Sequence, residues 1–568
     1  MRRDVFFMIF AVAIMLPALV LGQGSIMLVG GGTESEVPGD WSEAPYNWFV
    51  EQAGYGKIIN IDVSSPSPWY PDYFLNVLGA DSSSHMLAIP TREEANSQEI
   101  YDDLASADGI FIEGGDQWSY VSVWKGTGVE DAIHEVFNNG GVIGGISAGA
   151  MILGQVVFDA QNGSIFSDEL AYNPYDPHLT FTDDFLDILP GVIVDTHFQW
   201  RARLGRFVPM LARRIQDFGD SDIIGLGIDE DSAVCIDADR IATYYADQGG
   251  GSLTVIYPDS ESDIDCREGV PLRFTDIHFD LLLNDAVYDL NTMTLIDMGS
   301  YLLPTNDPPD APEYTDVTLE GWDDTTGELG EIMVTGIEDD PEGWWSGDLE
   351  FVDGSGEIPQ AIIIPKIWDN LDFSPNRIVA GEKTIAENHH YMAIYLDNNS
   401  SADITTAGML TAHNLTYILD GYGSTYARVT EYNIPGVVGA KLHFLNNGDV
   451  YDLLNHYATM AVEEEENRTG DRFILYENYP NPFNPLTTIR YQLPARVRVA
   501  LGVYNISGQS VNVLVNDYQA AGNYEIKWDG TNRAGDPVGS GVYFYRLETV
   551  GPTPADFFSD QKQMTLLK

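Results

Sequence analysis

The stretch Gly141–Leu153, GVIGGISAGAMIL, sets a serine between two glycines where a short apolar run gives way to a helix-compatible one. A strand that turns sharply into a helix at Gly145-Ile146-Ser147-Ala148-Gly149 would hold the serine clear of the sheet. The glycines remove the Cβ atoms that would collide, and the amides of the next turn point at whatever the hydroxyl attacks. Ser147 is therefore the candidate nucleophile, although the same pattern also suits a plain tight turn. A serine hydroxyl is a poor nucleophile at its own pKa and needs a base, itself oriented by a third group. Of the ten histidines, His197 alone follows a buried-type strand, Gly191 to Val194, and is expected at the same sheet edge as Ser147. For the orienting group, Asp229, Glu230 and Asp231 close the glycine-rich run IIGLGI and offer three acids at one edge. Oxyanion amides are expected from Ala148 and from the Gly114-Gly115 turn after GIFIE, with Gln117 just beyond in reach of substrate. Arg201, Arg203 and Arg206 follow His197 in a chain poor in basic groups. Their planar forks suit carboxylates, either of a substrate or of this acidic protein itself.

The elements that must position these groups are six short apolar runs: 25–32, 57–63, 109–116, 141–147, 191–197 and 223–230. Runs apolar on both faces, separated by helix-length connections, predict an α/β three-layer sandwich with a mostly parallel sheet. Chemistry in such sheets collects at the carboxyl ends of strands, where each of the six runs ends in Gly or a polar residue.

At 568 residues the chain is too long for one core. Residues 1–22 carry Arg2 and Arg3, an apolar run broken by Pro17, and Gly22, which reads as a cleaved signal peptide. Residues 23–297 hold the candidate site, and the Pro- and Asp-rich stretch 298–318 reads as a linker. Residues 319–460 look β-rich and of unknown role. Within them His443-Phe444 and Val450-Tyr451-Asp452-Leu453 echo His278-Phe279 and Val287-Tyr288-Asp289-Leu290. The echo reads either as a degenerate repeat or as two unrelated β-turn-β pieces. A charged bridge, 461–472, leads into 473–568, whose alternating short strands and Gly/Asn/Asp turns predict an Ig-like β-sandwich.

A formal charge of -59, from 87 acidic against 28 Lys and Arg residues, repels phosphate backbones and argues against nucleic-acid partners. No EF-hand spacing appears, and no metal or organic cofactor is implied. Cys235 and Cys266 would meet an oxidising compartment after export and could pair.

IFIEGGDQ, GGISAGAMIL, DTHFQWRARLGRF and GLGIDEDSAV, in that order, resemble the cyanophycinase and dipeptidase E family of serine peptidases, whose sheet is similar to that of class I glutamine amidotransferases. The resemblance covers about residues 25–297. It implies Ser147 as nucleophile, His197 as base, Glu230 as the third member, and oxyanion amides at Gly115 and Ala148. It further implies Gln117, Asp195, Arg201, Arg203 and Arg206 as substrate-binding residues, with β-aspartyl-arginine polymer (cyanophycin) as substrate. Thr196 departs from the glutamine expected of the family, which bears on exact specificity. The last module resembles the C-terminal sorting domain of type IX secretion substrates, implying that secretion machinery as a partner and a secreted or surface-attached product. A homodimer is compatible with these readings. Two other functions fit the same residues: an aspartyl dipeptidase or general β-aspartyl peptidase, and a surface binding protein with an inert hydrolase domain.

Overall fold

The computed structural model describes residues 23–247, 251–297, 312–320, 322–335, 350–367, 377–430, 435–459 and most of 473–566. The expected signal peptide, most of the 298–318 boundary and the 461–472 bridge lie outside the described residues. The chain divides into two compact units between Ala458 and Thr459.

In the first unit, β1 (Ser25–Gly31), β2 (Ile58–Asp62), β3 (His85–Ala88), β4 (Gly109–Ile112) and β5 (Val142–Ile146) form a parallel array in the order β1-β5-β4-β2-β3. Helices cover it because their apolar residues recur on one face. Gly128–Asn138, for example, buries Val129, Ala132, Ile133, Val136 and Phe137. The chain continues through β6 (Gly154–Phe158), β7 (Phe181–Thr182), β8 (Leu189–Thr196), β9 (Ile224–Ile228), β10 (Ser232–Ile236), β11 (Ile241–Ala246), β12 (Leu253–Tyr257), β13 (Asp263–Asp265), β14 (Arg273–Leu282), β15 (Val287–Asp289) and β16 (Thr294–Asp297).

Here the architecture departs from a mostly parallel sheet. β10, β11, β15 and β16 extend the first sheet antiparallel beyond β1, giving nine strands. Short links such as residues 237–240 between β10 and β11 leave no room for a crossover helix, so the strands must reverse. The runs 191–197 and 223–230 belong to a second, fourteen-stranded sheet.

That second sheet is shared with the middle of the chain. The later strands are β17 (Val317–Glu320), β18 (Gly330–Thr335), β19 (Glu350–Asp353), β20 (Ile358–Ile364), β21 (Met392–Leu396), β22 (Ser401–Ile404), β23 (Met409–His413), β24 (Thr416–Asp420), β25 (Tyr426–Val429), β26 (Pro435–Leu445), β27 (Val450–Asp452) and β28 (Tyr457–Thr459). Across an antiparallel β14·β26 seam the order β8-β9-β12-β14 is answered by β26-β24-β21-β20. The sense of each pairing repeats too: β8/β9 and β20/β21 are parallel, and β9/β12, β12/β14, β21/β24 and β24/β26 antiparallel. A helix joins each parallel pair, Leu204–Arg213 in one half and Ile378–Glu387 in the other. The array β1-β10-β11-β15-β16 has its counterpart in the five-stranded sheet β17-β22-β23-β27-β28. The echoed motifs occupy equivalent strands, with His278-Phe279 in β14, His443-Phe444 in β26, Tyr288 in β15 and Tyr451 in β27. Residues 319–460, expected as a separate domain, thus share a sheet and a core with 23–297. Phe274 faces Phe444 and Ile277 faces Leu442 across the seam, all fully buried.

The second unit has a three-stranded sheet (Ile474–Leu475, Thr487–Leu493, Gly522–Trp528) and a four-stranded one (Val497–Asn505, Ser510–Gln519, Gly541–Val550, Phe558–Leu566). Both contribute to one core that includes Ile489, Tyr491, Trp528, Val499 and Tyr545, a small β-sandwich.

Because the seam core is common to both halves, Phe444→Ala should destabilise the whole 23–458 unit by about 3–5 kcal/mol, the usual cost of deleting a buried phenyl ring. Denaturant unfolding should show one shifted transition for that unit. An early transition confined to 319–458, with the rest unmoved, would contradict a shared core.

Candidate active site

The elbow after β5 has the strain its sequence implies. Ser147 sits at φ 53°, ψ -120°, between β5 and the short helix Ala148–Met151. A non-glycine residue persists there only when its surroundings hold it. They do, because a Cβ on Gly145 would stand 2.4 Å from the Gly149 carbonyl carbon, and one on Gly149 2.3 Å from the Ile112 oxygen. Strand, helix and β4 can approach this closely only through glycine.

His197 follows β8 and, like Ser147, has positive φ (49°). Its Nε2 lies 2.8 Å from Ser147 Oγ, and its Nδ1 lies 2.6 Å from Glu230 Oε1, just past β9. With Nδ1 protonated and donating to Glu230, Nε2 is left to accept from the serine hydroxyl. Burial lowers the imidazole pKa from its ordinary 6.5. Glu230 opposes this, and nearby Arg201 and Arg203 reinforce it. The ring is therefore neutral near pH 7, the form a base requires.

The end of β1 ties the three loops together, and this was not anticipated from the sequence. The Val29 carbonyl accepts from the Ser147 amide (2.9 Å), Gly30 from His197 (3.1 Å) and Gly31 from Asp231 (3.0 Å). A Cβ on Gly31 would lie 2.2 Å from His197 Cε1, and Gly31 is at φ 132°. The sequence signal was the run Gly30-Gly31-Gly32 closing an apolar strand.

The proposed oxyanion donors flank the nucleophile. Ala148 is the next residue, and Gly114 is so near that a Cβ there would stand 3.3 Å from Ser147 Cβ. Gly115, at φ 157°, continues that turn. The Tyr120 hydroxyl braces it, 2.8 Å from the Glu113 carbonyl oxygen and 2.8 Å from Asp62 Oδ2. Gln117 opens the helix Gln117–Trp124, with Nε2 3.0 Å from Met151 Sδ beside the elbow. Of the three acids after β9, only Glu230 meets His197. Asp229 is fully buried and accepts from the Trp200 amide (2.9 Å), and Asp231 accepts from the Thr33 amide (2.8 Å).

The expected substrate-binding group is where the structure disagrees most. Asp195 is 1 % exposed and Arg206 3 %. Arg206 grips both Asp195 oxygens, Nε to Oδ2 at 2.8 Å and Nη2 to Oδ1 at 2.6 Å, while Arg203 Nη1 donates to Oδ1 at 2.9 Å. Burial would raise the Asp195 pKa, but Arg206 and then Arg203 outweigh it and hold the carboxyl below its ordinary value. These three residues are buried and bonded to one another. A buried aspartate can take up two forks, and a run of surface-looking arginines gives no sign of that partner. Thr196 is fully buried, and its carbonyl accepts from Arg203. Arg201 stays half-buried near the imidazole.

Cys235 and Cys266, which could have paired, are both free and buried in separate cores. Among the described residues no group of three or more His, Cys, Asp or Glu could hold a metal, and no helix is long and apolar enough to cross a membrane.

Residues 63–244 match the profile described as Peptidase family S51, and residues 486–551 that of the FlgD Ig-like domain. The chain is 30 % identical over 215 residues to a cyanophycinase of Synechococcus elongatus, covering 36 % of this chain and 60 % of that protein. It is 31 % identical over 176 residues to a cyanophycinase of Trichormus variabilis, 30 % of this chain and 53 % of that one. The chain thus spans about half to three fifths of the length of these relatives. A crystal structure of a peptidase from an acI-B1 Actinobacterium is 20 % identical, covering 45 % of this chain and 95 % of that one at a TM-score of 0.30. The match in the last module is to an Ig-like domain, not to a sorting domain.

Two outcomes follow from this geometry. Arg206→Leu leaves a buried carboxylate short of its main partner and should cost about 3–5 kcal/mol in denaturant unfolding, whereas a substrate-contacting arginine would raise KM with little effect on stability. Glu230→Gln removes the carboxylate that favours the charged ring. Labelling of Ser147 by an organophosphonate should fall by about four orders of magnitude, and its acid limb should move to lower pH. In the wild type that limb should lie below 6.5. Between the lowered folded pKa and 6.5 the unfolded chain binds more protons, so stability should also decline as pH falls through that window.

Proposed function

We propose that the chain is a serine peptidase of cyanophycinase type, hydrolysing β-aspartyl-arginine polymer through an acyl-enzyme. The observation that carries this reading is the Ser147–His197–Glu230 relay, with contacts of 2.8 and 2.6 Å at a strained elbow. Ser147 Oγ attacks the carbonyl as Nε2 takes its proton, and Glu230 steadies the imidazolium through Nδ1–H. The amides of Gly115 and Ala148 receive the developing oxyanion. The imidazolium then protonates the leaving amine, and water, activated by the same nitrogen, releases the acyl group.

A cationic substrate suits the surroundings. Glu34, Glu113 and Asp231 crowd the neighbourhood, and like-charge repulsion adds to burial in raising the carboxyl pKa of Glu113 and Asp231. The relatives named cyanophycinase support the same substrate class. The inward-turned Arg203 and Arg206 favour a second reading, an aspartyl dipeptidase or general β-aspartyl peptidase, because those two forks are unavailable to hold a polymer. We further propose that the chain is exported, with residues 1–22 as signal peptide and the C-terminal sandwich engaging type IX secretion machinery. Self-association, where it occurs, uses a face other than the β14 edge, which β26 of the same chain covers.

Ser147→Ala should fold normally and lose hydrolysis by about 10⁴–10⁶-fold. Purified enzyme and variant are compared on cyanophycin and on short α-aspartyl peptides. Dipeptide release from the polymer supports the first reading, turnover of the short peptides alone the second, and equal turnover by the variant neither.

A further inference from the structure

A side chain from the middle of the chain touches the loop that carries His197. Gln199, two residues past His197, is buried, as is Asp229, the residue before Glu230. The Trp200 amide donates to Asp229 Oδ1 at 2.9 Å, which clamps the His197 loop to the Glu230 loop. Gln199 accepts from the Ser252 amide at 3.0 Å and donates through Nε2 to Glu382 Oε2 at 3.1 Å. A Cβ on Gly251 would lie 2.3 Å from Asp229 Oδ2 and 2.6 Å from Gln199 Oε1, so the cluster is packed without slack. Glu382 lies within Ile378–Glu387, the helix that answers Leu204–Arg213 across the seam, and is 3 % exposed.

Among the described residues neither Asp229 nor Glu382 forms an ion pair, and Asp229 Oδ2 has no hydrogen-bond partner. The titratable groups around them are Glu230 and Tyr244 near Asp229, and Tyr395 near Glu382. None of these supplies a cation. Two ionised carboxylates buried in such a place would repel strongly.

We propose that Glu382 is a positioning residue for the relay: with the Asp229–Glu382 pair holding a proton, it fixes Gln199 and thereby the loops carrying His197 and Glu230. The inference rests on the reading of Ser147 as nucleophile. Burial and mutual repulsion support it by moving Glu382 up to about 8, and burial moves Asp229 up to about 7. Both folded values exceed those of free carboxyls. The stabilisation is therefore fully present below the ordinary carboxyl pKa, declines as pH rises above it, and is gone once pH has passed through about 7 to 8.

The test measures Ser147 labelling by an organophosphonate against pH in the full chain, for wild type, Glu382→Gln and Gln199→Leu, with kcat and KM where turnover is seen. In wild type the rate should pass through a maximum and decline across about pH 7–8.5. Glu382→Gln, neutral at every pH, should keep the rate at pH 6.5 and lose that decline. Gln199→Leu should lower kcat by about a hundredfold, the effect of a small misplacement, with KM within about twofold. A wild-type rate flat through pH 8.5, or a Glu382→Gln profile identical to wild type, overturns the positioning role while leaving the peptidase reading intact. Should wild type fail to be labelled at Ser147 at all, both are overturned. If Glu382→Gln does not fold, the wild-type profile decides alone.

Discussion

Three successive backbone carbonyls at the end of β1 hold the site together. Val29, Gly30 and Gly31 accept from the amides of Ser147, His197 and Asp231, so the nucleophile, the base and the loop of the third member are all registered on one strand. The strand end must approach the imidazole within contact distance, and that excludes any side chain on Gly31. Ser147, His197 and Asp231 all have positive φ, strained conformations that these bonds and the glycine contacts over-determine. A relay of 2.8 and 2.6 Å contacts needs tolerances of this kind, since a misplacement of about 1 Å can cost two orders of magnitude in rate.

Acidity shapes the molecule in two ways. It supplies partners indiscriminately: His85, His178, His278 and His413 pair with aspartates that are at least partly exposed, and His456 with the buried Asp420. A histidine–carboxylate contact is thus commonplace in this chain, and His197 differs in carrying a serine hydroxyl on its other nitrogen. In the interior the buried acids are accommodated differently: Asp159 accepts from the hydroxyls of Thr180 and Thr182. Asp195 has cations in Arg203 and Arg206, and burial raises the carboxyl pKa of Asp229 and Glu382.

The middle of the chain repeats the second half of the candidate catalytic unit in strand order, pairing sense and connecting helix. Among the described residues the relay has no counterpart there. Asp397 follows β21 as Asp229 follows β9, but the next residue is Asn398 where the first half has Glu230. β20 runs into Pro365 and Lys366 where β8 runs into His197. A sheet edge left open at β14 would be a row of unpaired backbone groups, and β26 closes it.

The features fixed by residues near one another were legible without coordinates. The glycine-flanked elbow at Ser147, a histidine closing the strand Gly191–Val194 and the acids closing IIGLGI all follow from local steric and hydropathy rules, which act over a few residues. The parallel β1–β5 array and the small β-sandwich were legible for the same reason. The pairing of Arg203 and Arg206 with Asp195 was not legible, because Asp195 is buried by the fold, and burial at one position depends on the whole sheet around it. The β1 carbonyl hub, the β14·β26 seam and the approach of Glu382 to Gln199, 183 positions apart, are long-range pairings. Their energy comes from burial and register shared between distant segments, and only the assembled tertiary structure decides those.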